Sequence, residues 1–386
     1  MKTYKFKLYH SKKNNKLGEQ IDLSGRIWNH SIALHRRYYK LTGKSLSQYD
    51  LMKHLTKLKK LPKYADWNKV GSQAVQDIAQ RIDRSYQLFF RNLKAGVRTA
   101  PPSFKKVKRY KSFTLKQAGW KLLGSNKVRI QGVIYKFFKS RNIIGVVKTV
   151  TVKRDKLGQF WLYFVTETET EVQSSETRTG ESVGFDFGLK TFLTGSDGTE
   201  IESPLFFRQY LNDIRRAYSQ LSRKKKGSKN RRKANLHLNR VFQRIDNLRH
   251  DFFFKLAHEL TDKYDVIFFE DLNLKGMKAL WGRKVSDLAF GTFLNILQYV
   301  ASQKGVLIRF IDRFYPSSKT CLDCGYLYQK LSLKERHWAC PGCGVIHNRD
   351  FNAALNIHRV GASTYGVGEV RLACQHSPLI PESHEL

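Results

Sequence analysis

Hydrophobic and polar positions alternate in the first segment of the chain, MKTYKFKLYH. Tyr4, Phe6 and Leu8 lie on one face and lysines on the other, which is typical of a β-strand rather than of a signal peptide. Beyond this strand, apolar positions recur at helical spacing in three segments. The three predicted helices cover residues 22–42, 47–60 and 72–94.

The pattern then changes to short runs rich in β-branched and aromatic residues, such as KVRI and FWLYFVTE. These runs predict strands, so the first strand and the later ones would form a small barrel interrupted by the helices. A polar stretch rich in Ser, Thr and Glu follows and predicts a linker. We therefore assign residues 1–15 and 104–170 to the barrel, 16–103 to a helical lobe and 171–182 to the linker.

The second half predicts a mixed α/β domain. SVGFDFGLKTFLTGSDGTEI has the pattern of two strands with tight turns, YDVIFFEDLNL and VLIRFIDRF that of buried strands, and residues 205–262 and 287–304 that of helices. A final helix should begin near residue 350. We assign residues 183–316 and 345–362 to this domain, 317–344 to an insert within it, and 363–386 to a C-terminal tail.

Charge narrows the class of partner. The 386 residues carry 70 Lys+Arg against 32 Asp+Glu, a formal net charge of +38. Self-repulsion of this size is costly unless a polyanion offsets it, and the basic residues run along most of the chain, so we expect a long nucleic acid. Ribosomal basic proteins are the alternative, but they are usually shorter and poorer in core residues. No run approaches the roughly 20 apolar residues of a membrane span.

One segment, FKKVKRYKSF, alternates basic with aromatic residues. Its cations would contact phosphates while its rings stack on unpaired bases. The predicted backbone contacts are Lys105, Lys106, Lys108, Arg109 and Lys111.

Two matched cysteine pairs occur late in the chain. Cys321 and Cys324 lie in CLDCG, and Cys340 and Cys343 lie in CPGCG, with 15 residues between the pairs. Two CxxC turns, each followed by glycine, present four thiolates as a tetrahedron, which is the pattern of a zinc ribbon. Iron or a redox pair is the alternative. A closed four-thiolate site has no open position, so we expect structural Zn²⁺ and no chemistry at the metal.

Three carboxylates follow or open buried elements. Asp186 lies in the strand GFDFG, Glu270 ends the strand VIFFE, and Asp350 begins the final helix. Each alone has an ordinary interpretation, as a turn residue, a strand-end charge or a helix-dipole partner. Together they suggest a hard-oxygen site for Mg²⁺ or Mn²⁺, and two such ions about 4 Å apart suit phosphodiester hydrolysis.

These motifs resemble one known family. GFDFGLKTF, FFEDLNLKGM, YPSSKTCLDCG, CPGCG and NRDFNAALNI occur in this order in the TnpB family of transposon-encoded, RNA-guided DNA nucleases. The resemblance covers about residues 1–360. It implies an α+β multidomain fold, with a wedge β-barrel, a helical recognition lobe, and an RNase H-like (RuvC) nuclease domain that carries an inserted zinc ribbon. It also implies that Asp186, Glu270 and Asp350 form the catalytic triad and bind magnesium.

The resemblance further implies a guide RNA and a double-stranded DNA target next to a short motif that the protein reads. Base pairing would read the target, and side chains only the flanking motif. One departure is Asn348, where family members often carry Asp. Nominated motif-reading residues are Lys69, Gln73 and Thr114, with Tyr49 and Lys53 as weaker candidates.

The sequence thus predicts a cytoplasmic, nucleoid-associated prokaryotic protein that acts as a monomer with one RNA and cleaves DNA. Three alternatives stay open: a non-cutting RNA-guided repressor, a transposition protein, and a guide-free structure-specific nuclease. The intact triad argues against the first. No separate recombinase domain supports the second, and the large basic first half makes the third less economical.

Overall fold

The computed structural model describes residues 1–167, 180–273, 276–277, 279, 282, 287–332 and 334–366, and the backbone of 371–372. The chain forms two compact units, Met1–Thr170 and Glu171–Leu386. None of the helices in the described part of the chain is long and apolar enough to cross a membrane.

The first unit combines three helices with two antiparallel sheets. Its helices are α1 (Asn14–Thr42), α2 (Gln48–Leu58) and α3 (Ser72–Lys94), with short 3-10 turns at Pro62–Lys69 and Val107–Arg109. Its strands are β1 (Lys2–Lys7), β2 (Ser112–Leu115), β3 (Trp120–Leu122), β4 (Lys127–Ile130), β5 (Val133–Lys136), β6 (Val146–Arg154) and β7 (Phe160–Glu167). One sheet has the order β1-β7-β6-β2 and the other β3-β4-β5.

One boundary in this unit differs from the sequence expectation. Helix α1 begins at Asn14 and not at residue 22, because Leu17 and Ile21 are fully buried and extend its apolar face. An isolated bridge between Leu8 and Phe137 links the two sheets, for which the sequence predicted a small barrel. Residues of the helices and of the strands share a single hydrophobic core.

The second unit is built on a mixed sheet. Its helices are α4 (Phe206–Gln209), α5 (Leu211–Ser222), α6 (Lys229–Lys263), α7 (Phe290–Lys304) and α8 (Arg349–Tyr365). Its strands are β8 (Glu181–Phe187), β9 (Thr191–Gly195), β10 (Glu200–Glu202), β11 (Val266–Glu270), β12 (Leu307–Ile311), β13 (His337–Ala339), β14 (Ile346–Asn348) and β15 (Arg371–Leu372).

The order of the main sheet is β10-β9-β8-β11-β12, with β15 also paired to β8. Strands β10, β9 and β8 pair antiparallel, whereas β8, β11 and β12 run parallel to one another. Strands β13 and β14 form a separate two-stranded antiparallel hairpin.

Side chains on the main sheet alternate between two faces, as the period of two requires. On one face, Phe185 and Phe269 join a core that includes Phe253 of α6 and Phe293 of α7. On the other face, Phe268 packs with residues of α8, including Ile357. Both faces of β11 are therefore covered, which explains its continuous apolar sequence.

Helix α8 lies unusually close to β8 because Gly184 has no side chain. A Cβ atom at this position would lie 2.5 Å from the backbone nitrogen of His358 and 2.6 Å from the carbonyl oxygen of Ala354. A nonbonded Cβ atom essentially never lies this close to backbone atoms, so glycine is required for this backbone-to-backbone approach. This contact fixes the position of α8 along the axis of β8, with Ala354 and His358 next to Gly184.

The borders of several assigned regions lie near, but not at, the observed element ends. Strand β8 begins at Glu181, within the assigned linker, and residues 171–179 of that linker lie outside the described residues. Strand β14 pairs with β13 and ends at Asn348, past residue 344, where the insert was assigned to end. In the assigned tail, α8 continues to Tyr365, whereas residues 367–370 and 373–386 are not described.

Candidate functional site

Asp186 and Glu270 lie side by side on adjacent strands. Strands β8 and β11 are parallel, with Phe185 opposite Phe269, so the next residue of each strand stands at the same level. Their side chains share the face of Gly184 and Phe268, two residues earlier. Both carboxylates therefore lie on the face that is covered by α8.

Asp350 reaches this face from the first turn of α8. Ala354 and His358 follow it at intervals of four residues, on one side of the helix, and both approach Gly184. His358 also pairs through Nε2 with the Ser182 hydroxyl at 2.7 Å. Because α8 runs antiparallel to β8, its first turn lies near Asp186. The structure thus brings together all three carboxylates that the sequence nominated.

The charges of the other two carboxylates act on Asp186. Burial, followed by the charges of Asp350 and Glu270, raises the pKa of Asp186 to about 7, against the opposing effect of Arg349. Burial also raises the pKa of Glu270, although the hydroxyl of Ser317, 3.4 Å from Oε2, acts in the other direction. Two neighbouring acids with raised pKa values are typical of a functional site.

Asp350 already has a cationic partner. Nη1 of Arg336 lies 2.7 Å from Oδ1 and 2.9 Å from Oδ2 of its carboxylate. Arg336 belongs to the segment between the two cysteine pairs and is half exposed. Among the described residues, the sets of ligand atoms that come within 4.8 Å of one another lie around the cysteines, and the three carboxylates do not form such a set. The sequence analysis did not identify Arg336.

Asn348, which occupies a position where TnpB family members often carry Asp, is the N-cap of α8. Its Oδ1 accepts hydrogen bonds from the backbone nitrogens of Asp350, at 3.0 Å, and Phe351, at 3.2 Å. These amides have no partner within the helix, so the side chain satisfies donors that would otherwise be open. Asn348 therefore orients the turn that carries Asp350. An asparagine directly before a helical pattern could have predicted this role.

Two buried amides join α8 to the cysteine-containing segment. The Nδ2 atoms of Asn352 and Asn356 donate to the carbonyl of Thr320 at 2.8 and 2.7 Å, and that of Asn356 also donates to Ser317 at 2.9 Å. Oδ1 of Asn352 accepts from the backbone nitrogen of Leu322. The sequence analysis missed this pair, although the spacing of four residues places both asparagines on one face of the helix.

The four cysteines have the geometry of a tetrahedral zinc site. The Sγ atoms of Cys321 and Cys343 are 3.7 Å apart, those of Cys324 and Cys340 are 3.5 Å apart, and all four lie within 4.8 Å of one another. Zn–S bonds of about 2.3 Å in a tetrahedron require sulfur separations of about 3.8 Å. The glycine after each pair adopts a positive φ. Structural zinc therefore fits these residues.

A cleft of about 900 Å³ opens beside Glu270. Its walls include apolar side chains from α7, β12 and α8, and the ion pair between Arg313 and Asp271, whose Nη2 and Oδ2 atoms lie 2.5 Å apart. Phe314 also lines it and is 87% exposed. A large ring without cover at the edge of a cleft is an unusual surface feature.

The nominated motif-reading residues occupy different settings. The Lys69 ammonium is paired with Glu19 at 2.7 Å and Asp66 at 3.2 Å. The Thr114 hydroxyl lies 2.9 Å from that of Thr151 across β2 and β6. The other three lie on helices: Gln73 is partly exposed in the first turn of α3, and Tyr49 and Lys53 are exposed on α2.

The basic and aromatic segment is only partly as expected. All five nominated backbone contacts are exposed: Lys105, Lys106, Lys108, Arg109 and Lys111. The Lys105 ammonium also lies 3.6 Å from the ring centre of Trp28. The expectation that its rings stack on bases is wrong for two of them. Tyr110 is 4% exposed and Phe113 is fully buried, because both belong to the core of the first unit. Phe104 remains 52% exposed.

Comparisons with known proteins place the chain among related sequences. A family model described as "Probable transposase" (OrfB_IS605) matches residues 164–280, and one described as "Cas12f1-like, TNB domain" matches residues 290–357. The matched regions contain Asp186, Glu270, Asp350 and all four cysteine ligands.

Individual relatives are similar over longer stretches. A Streptomyces pristinaespiralis protein named "Putative RNA-guided DNA endonuclease" is 35% identical over 223 residues, or 57% of this chain and 54% of that protein. The Escherichia coli K12 protein named "Putative RNA-guided DNA endonuclease InsQ" is 28% identical over 78% of this chain and 77% of its own. A mimivirus "TnpB-like protein L770" is 28% identical over 59% of this chain and 46% of its own.

This chain thus spans about half the length of the Streptomyces and mimivirus relatives. Among solved structures, a chain of the "Cas12f1-sgRNA-target DNA complex" is similar in fold, with a TM-score of 0.55 and 17% identity, over 90% of this chain and 83% of that one. The mixed α/β fold of this chain is therefore similar to that of the solved Cas12f1 chain. Both family matches and these relatives agree with the ordered motifs, so the chain is similar to members of the TnpB family.

Proposed function

We propose that this protein is an RNA-guided DNA endonuclease, and that Asp186, Glu270 and Asp350 are its catalytic residues. The convergence of the three carboxylates carries the proposal: two lie at one level on adjacent parallel strands, and the third lies on the helix that covers them. The names of the Streptomyces and Escherichia coli relatives support the activity.

The sheet order supports an RNase H-like (RuvC) nuclease domain. Three antiparallel strands are followed by two parallel ones, with a carboxylate on the first strand, on the fourth, and on a late helix. The cysteine-containing hairpin, a zinc ribbon in this proposal, lies between the last two carboxylates. The strands of the first unit would supply the wedge barrel and its helices the recognition lobe.

The three carboxylates would hold Mg²⁺ or Mn²⁺, since hard cations prefer carboxylate oxygens. When bound, such ions stabilise the charge that develops on a phosphodiester as it is hydrolysed and help to activate water. The protein's own residues prepare this site. Asp186 would lose its proton on metal binding, and Asp350 would exchange the guanidinium of Arg336 for the metal.

Arg336 could contact a phosphate group of the DNA once a metal ion has displaced it from Asp350. Its side chain is half exposed and lies at the carboxylate of Asp350, so a released guanidinium remains within reach of a bound phosphate. Guanidinium groups bind phosphate oxygens well because their donors match the geometry of the anion. Arg336 would then orient the DNA backbone next to the triad.

The cleft beside Glu270 would receive the DNA strand. Its volume of about 900 Å³ accommodates unpaired bases, and Phe314 at its edge offers a ring on which a base can stack. The carboxylates of Asp271 and Asp312 disfavour phosphates within the cleft, so we propose that bases enter and the backbone stays at the triad.

The guide RNA and target DNA would bind through the basic surface. The net charge of +38 supports a long polyanion, and Lys106, Lys108, Arg109 and Lys111 are exposed for phosphate contacts. Gln73, Tyr49 and Lys53 remain proposed readers of the flanking motif. Lys69 and Thr114 could read bases only after their present partners release them. We propose a prokaryotic, nucleoid-associated monomer with one RNA.

The test is to purify the protein with RNA co-expressed from its own locus and to offer plasmids with a matching target beside randomised flanks. We expect cleavage next to a short motif, and none by Asp186→Ala, which should still bind the target. Binding without cleavage by the wild type would favour the repressor. Cleavage without RNA would favour a guide-free nuclease, and equal cleavage by Asp186→Ala would reject the catalytic assignment.

A further inference from the structure

His347 lies against a sulfur atom of the cysteine site. Its Nε2 atom is 3.0 Å from Sγ of Cys321, and both residues are buried, at 8% and 0% exposure. The imidazole is also fixed in orientation. Strand β14 places His347 directly opposite Trp338 of β13, and the two rings lie 4.8 Å apart between centres.

We propose that His347 is a positioning residue of the zinc site, which donates its Nε2 hydrogen to the thiolate of Cys321 and is not itself a ligand. Two pairs of sulfur atoms lie 3.7 and 3.5 Å apart and all four lie within 4.8 Å of one another, which suits a closed four-thiolate site without a fifth ligand. Sulfur at 3.0 Å is within hydrogen-bond distance of an imidazole N–H. A zinc ion with four thiolates carries excess negative charge, and donors to sulfur offset it.

The other cysteine thiolates also require hydrogen-bond donors to offset their negative charge. The backbone nitrogen of Gly342 lies 3.4 Å from Sγ of Cys340, a donor that any sequence with this turn provides. Cys321 also accepts from the backbone nitrogens of Asp323 and Cys324, and His347 adds a side-chain donor that depends on the residue at position 347. The carboxylate of Asp323, at 3.6 Å from Nε2, lies beyond direct hydrogen bonding but favours the protonated nitrogen.

The contact also links the cysteine site to the carboxylates. His347 immediately precedes Asn348, which caps α8, and Asp350 follows in the first turn of that helix. Cys321 follows Thr320, whose carbonyl is held by Asn352 and Asn356. The contact between His347 and Cys321 thus joins the two segments that flank the first turn of α8. One is the strand before Asn348, and the other is the segment around Thr320, which the helix holds through Asn352 and Asn356.

Two other arrangements of the same atoms make different predictions. His347 could replace one cysteine as a ligand. Alternatively Cys321, Asp323 and His347, whose ligand atoms lie within 4.8 Å of one another, could hold a second ion. The number of bound metals and the set of atoms around them separate these arrangements from our proposal.

The experiment uses the full chain with its co-purified RNA, in three forms: wild type, His347→Phe and His347→Gln. Phenylalanine keeps a ring against Trp338 and removes the donor, whereas glutamine restores an N–H group of similar reach. Each form is loaded with Co²⁺ in place of Zn²⁺ for absorption spectroscopy, and the zinc form is titrated with a chromogenic chelator. His337→Phe is the matched control, because His337 lies in the same hairpin and is exposed.

We expect one metal per chain at the cysteine site and a spectrum of four thiolates in every form. We expect His347→Phe to hold zinc about 10-fold more weakly, as for other residues that support a metal ligand, and His347→Gln to recover most of the loss. The spectrum itself reports that the hairpin of His347→Phe has folded. None of these measurements needs DNA cleavage, so they are independent of the proposed activity.

Three results would overturn the proposal. A wild-type cobalt spectrum of three thiolates and one nitrogen, which changes in His347→Phe, would make His347 a ligand. Two metals per chain in the wild type and one in His347→Phe would establish a second site. Equal zinc affinity in the wild type and in His347→Phe would show that the hydrogen bond does not contribute.

Discussion

Arg336 contacts both carboxylate oxygens of Asp350, at 2.7 and 2.9 Å from one nitrogen. The pair joins the segment between the cysteine pairs to the helix that starts after them. Because a metal ion at the triad would need the same oxygens, the guanidinium competes with it. Metal binding at the triad would therefore have to displace this guanidinium from Asp350.

This competition predicts the effect of Arg336→Ala on metal affinity. Removal of a half-exposed ion pair should let Mn²⁺ bind about 2- to 5-fold more tightly, since such pairs contribute up to about 1 kcal/mol. Electron paramagnetic resonance of free Mn²⁺ would measure it. Lys255→Ala is the control, because its exposed ion pair with Asp251 within α6 does not involve the triad. Weaker Mn²⁺ binding by Arg336→Ala would show that the guanidinium helps to hold the metal instead.

The raised pKa of Asp186, about 7, predicts a pH-dependent stability. The unfolded carboxyl ionises near pH 4, so between about pH 4 and 7 the folded chain holds a proton that the unfolded chain has released. Without divalent metal at the triad, stability should fall as pH rises through this range, and the loss should be complete above pH 7.

Asp186→Asn cannot ionise and should avoid this loss. Since the side chain is partly exposed, we expect its melting temperature to exceed that of the wild type by about 2–5 °C at pH 8, and by less at pH 5. The melts must exclude Mg²⁺ and Mn²⁺ but also chelators, which would remove zinc. An equal difference at both pH values would contradict a raised pKa.

The cap on α8 predicts two different outcomes at Asn348. Asn348→Ala leaves the backbone nitrogens of Asp350 and Phe351 without their acceptor and should cost about 1 kcal/mol of stability. Asn348→Asp keeps an acceptor at the same reach and should melt close to the wild type. Thermal unfolding of the three proteins measures this. Equal losses in both variants would mean that the cap does not contribute.

The close approach at Gly184 predicts that even one methyl group is excluded. Gly184→Ala must move α8 away from β8, which should cost about 1–3 kcal/mol and slow cleavage, since Asp350 moves with the helix. Gly18→Ala in α1 is the control, because its nearest atoms would be 3.5 Å away, and it should stabilise by about 0.5–1 kcal/mol. Urea unfolding would measure both. An unchanged Gly184→Ala protein would contradict the packing.

The exposed ring of Phe314 predicts a loss of activity without a loss of stability. Phe314→Ala should slow DNA cleavage about 10-fold, because base stacking contributes about 1–3 kcal/mol, while the melting temperature stays unchanged. Tyr299→Ala removes another exposed ring of the same unit that does not line the cleft, and should cleave normally. Equal rates in both variants would exclude Phe314 from the path of the DNA.

Much of the site was visible in the sequence, since it depends on local pattern. Asp186 and Glu270 follow apolar runs that predict buried strands, and Asp350 precedes a helical pattern, so their convergence could be predicted from the ends of elements. The four cysteines needed only their spacing. The start of α1 was wrong because polar residues obscure the apolar positions Leu17 and Ile21.

Contacts between residues that lie far apart in the chain could not be predicted from the sequence. The sequence nominated Lys69 and Lys105 for contacts with nucleic acid, but it did not show that Lys69 is paired with Glu19 or that the Lys105 ammonium lies over Trp28. Tyr110 and Phe113 looked like stacking rings but belong to the core. Local sequence cannot distinguish these cases, since exposure depends on which elements pack above a residue.

The sequence by itself determined the elements, the cysteine tetrahedron and the three candidate acids, because period and spacing are local properties of a chain. Only the tertiary structure decided which groups face those acids. Gly184 sets the distance between α8 and β8, and Arg336 forms an ion pair with Asp350. His347 connects the cysteine site to the turn before Asp350. These contacts join segments far apart in the chain, and packing alone brings them within a few ångströms of each other.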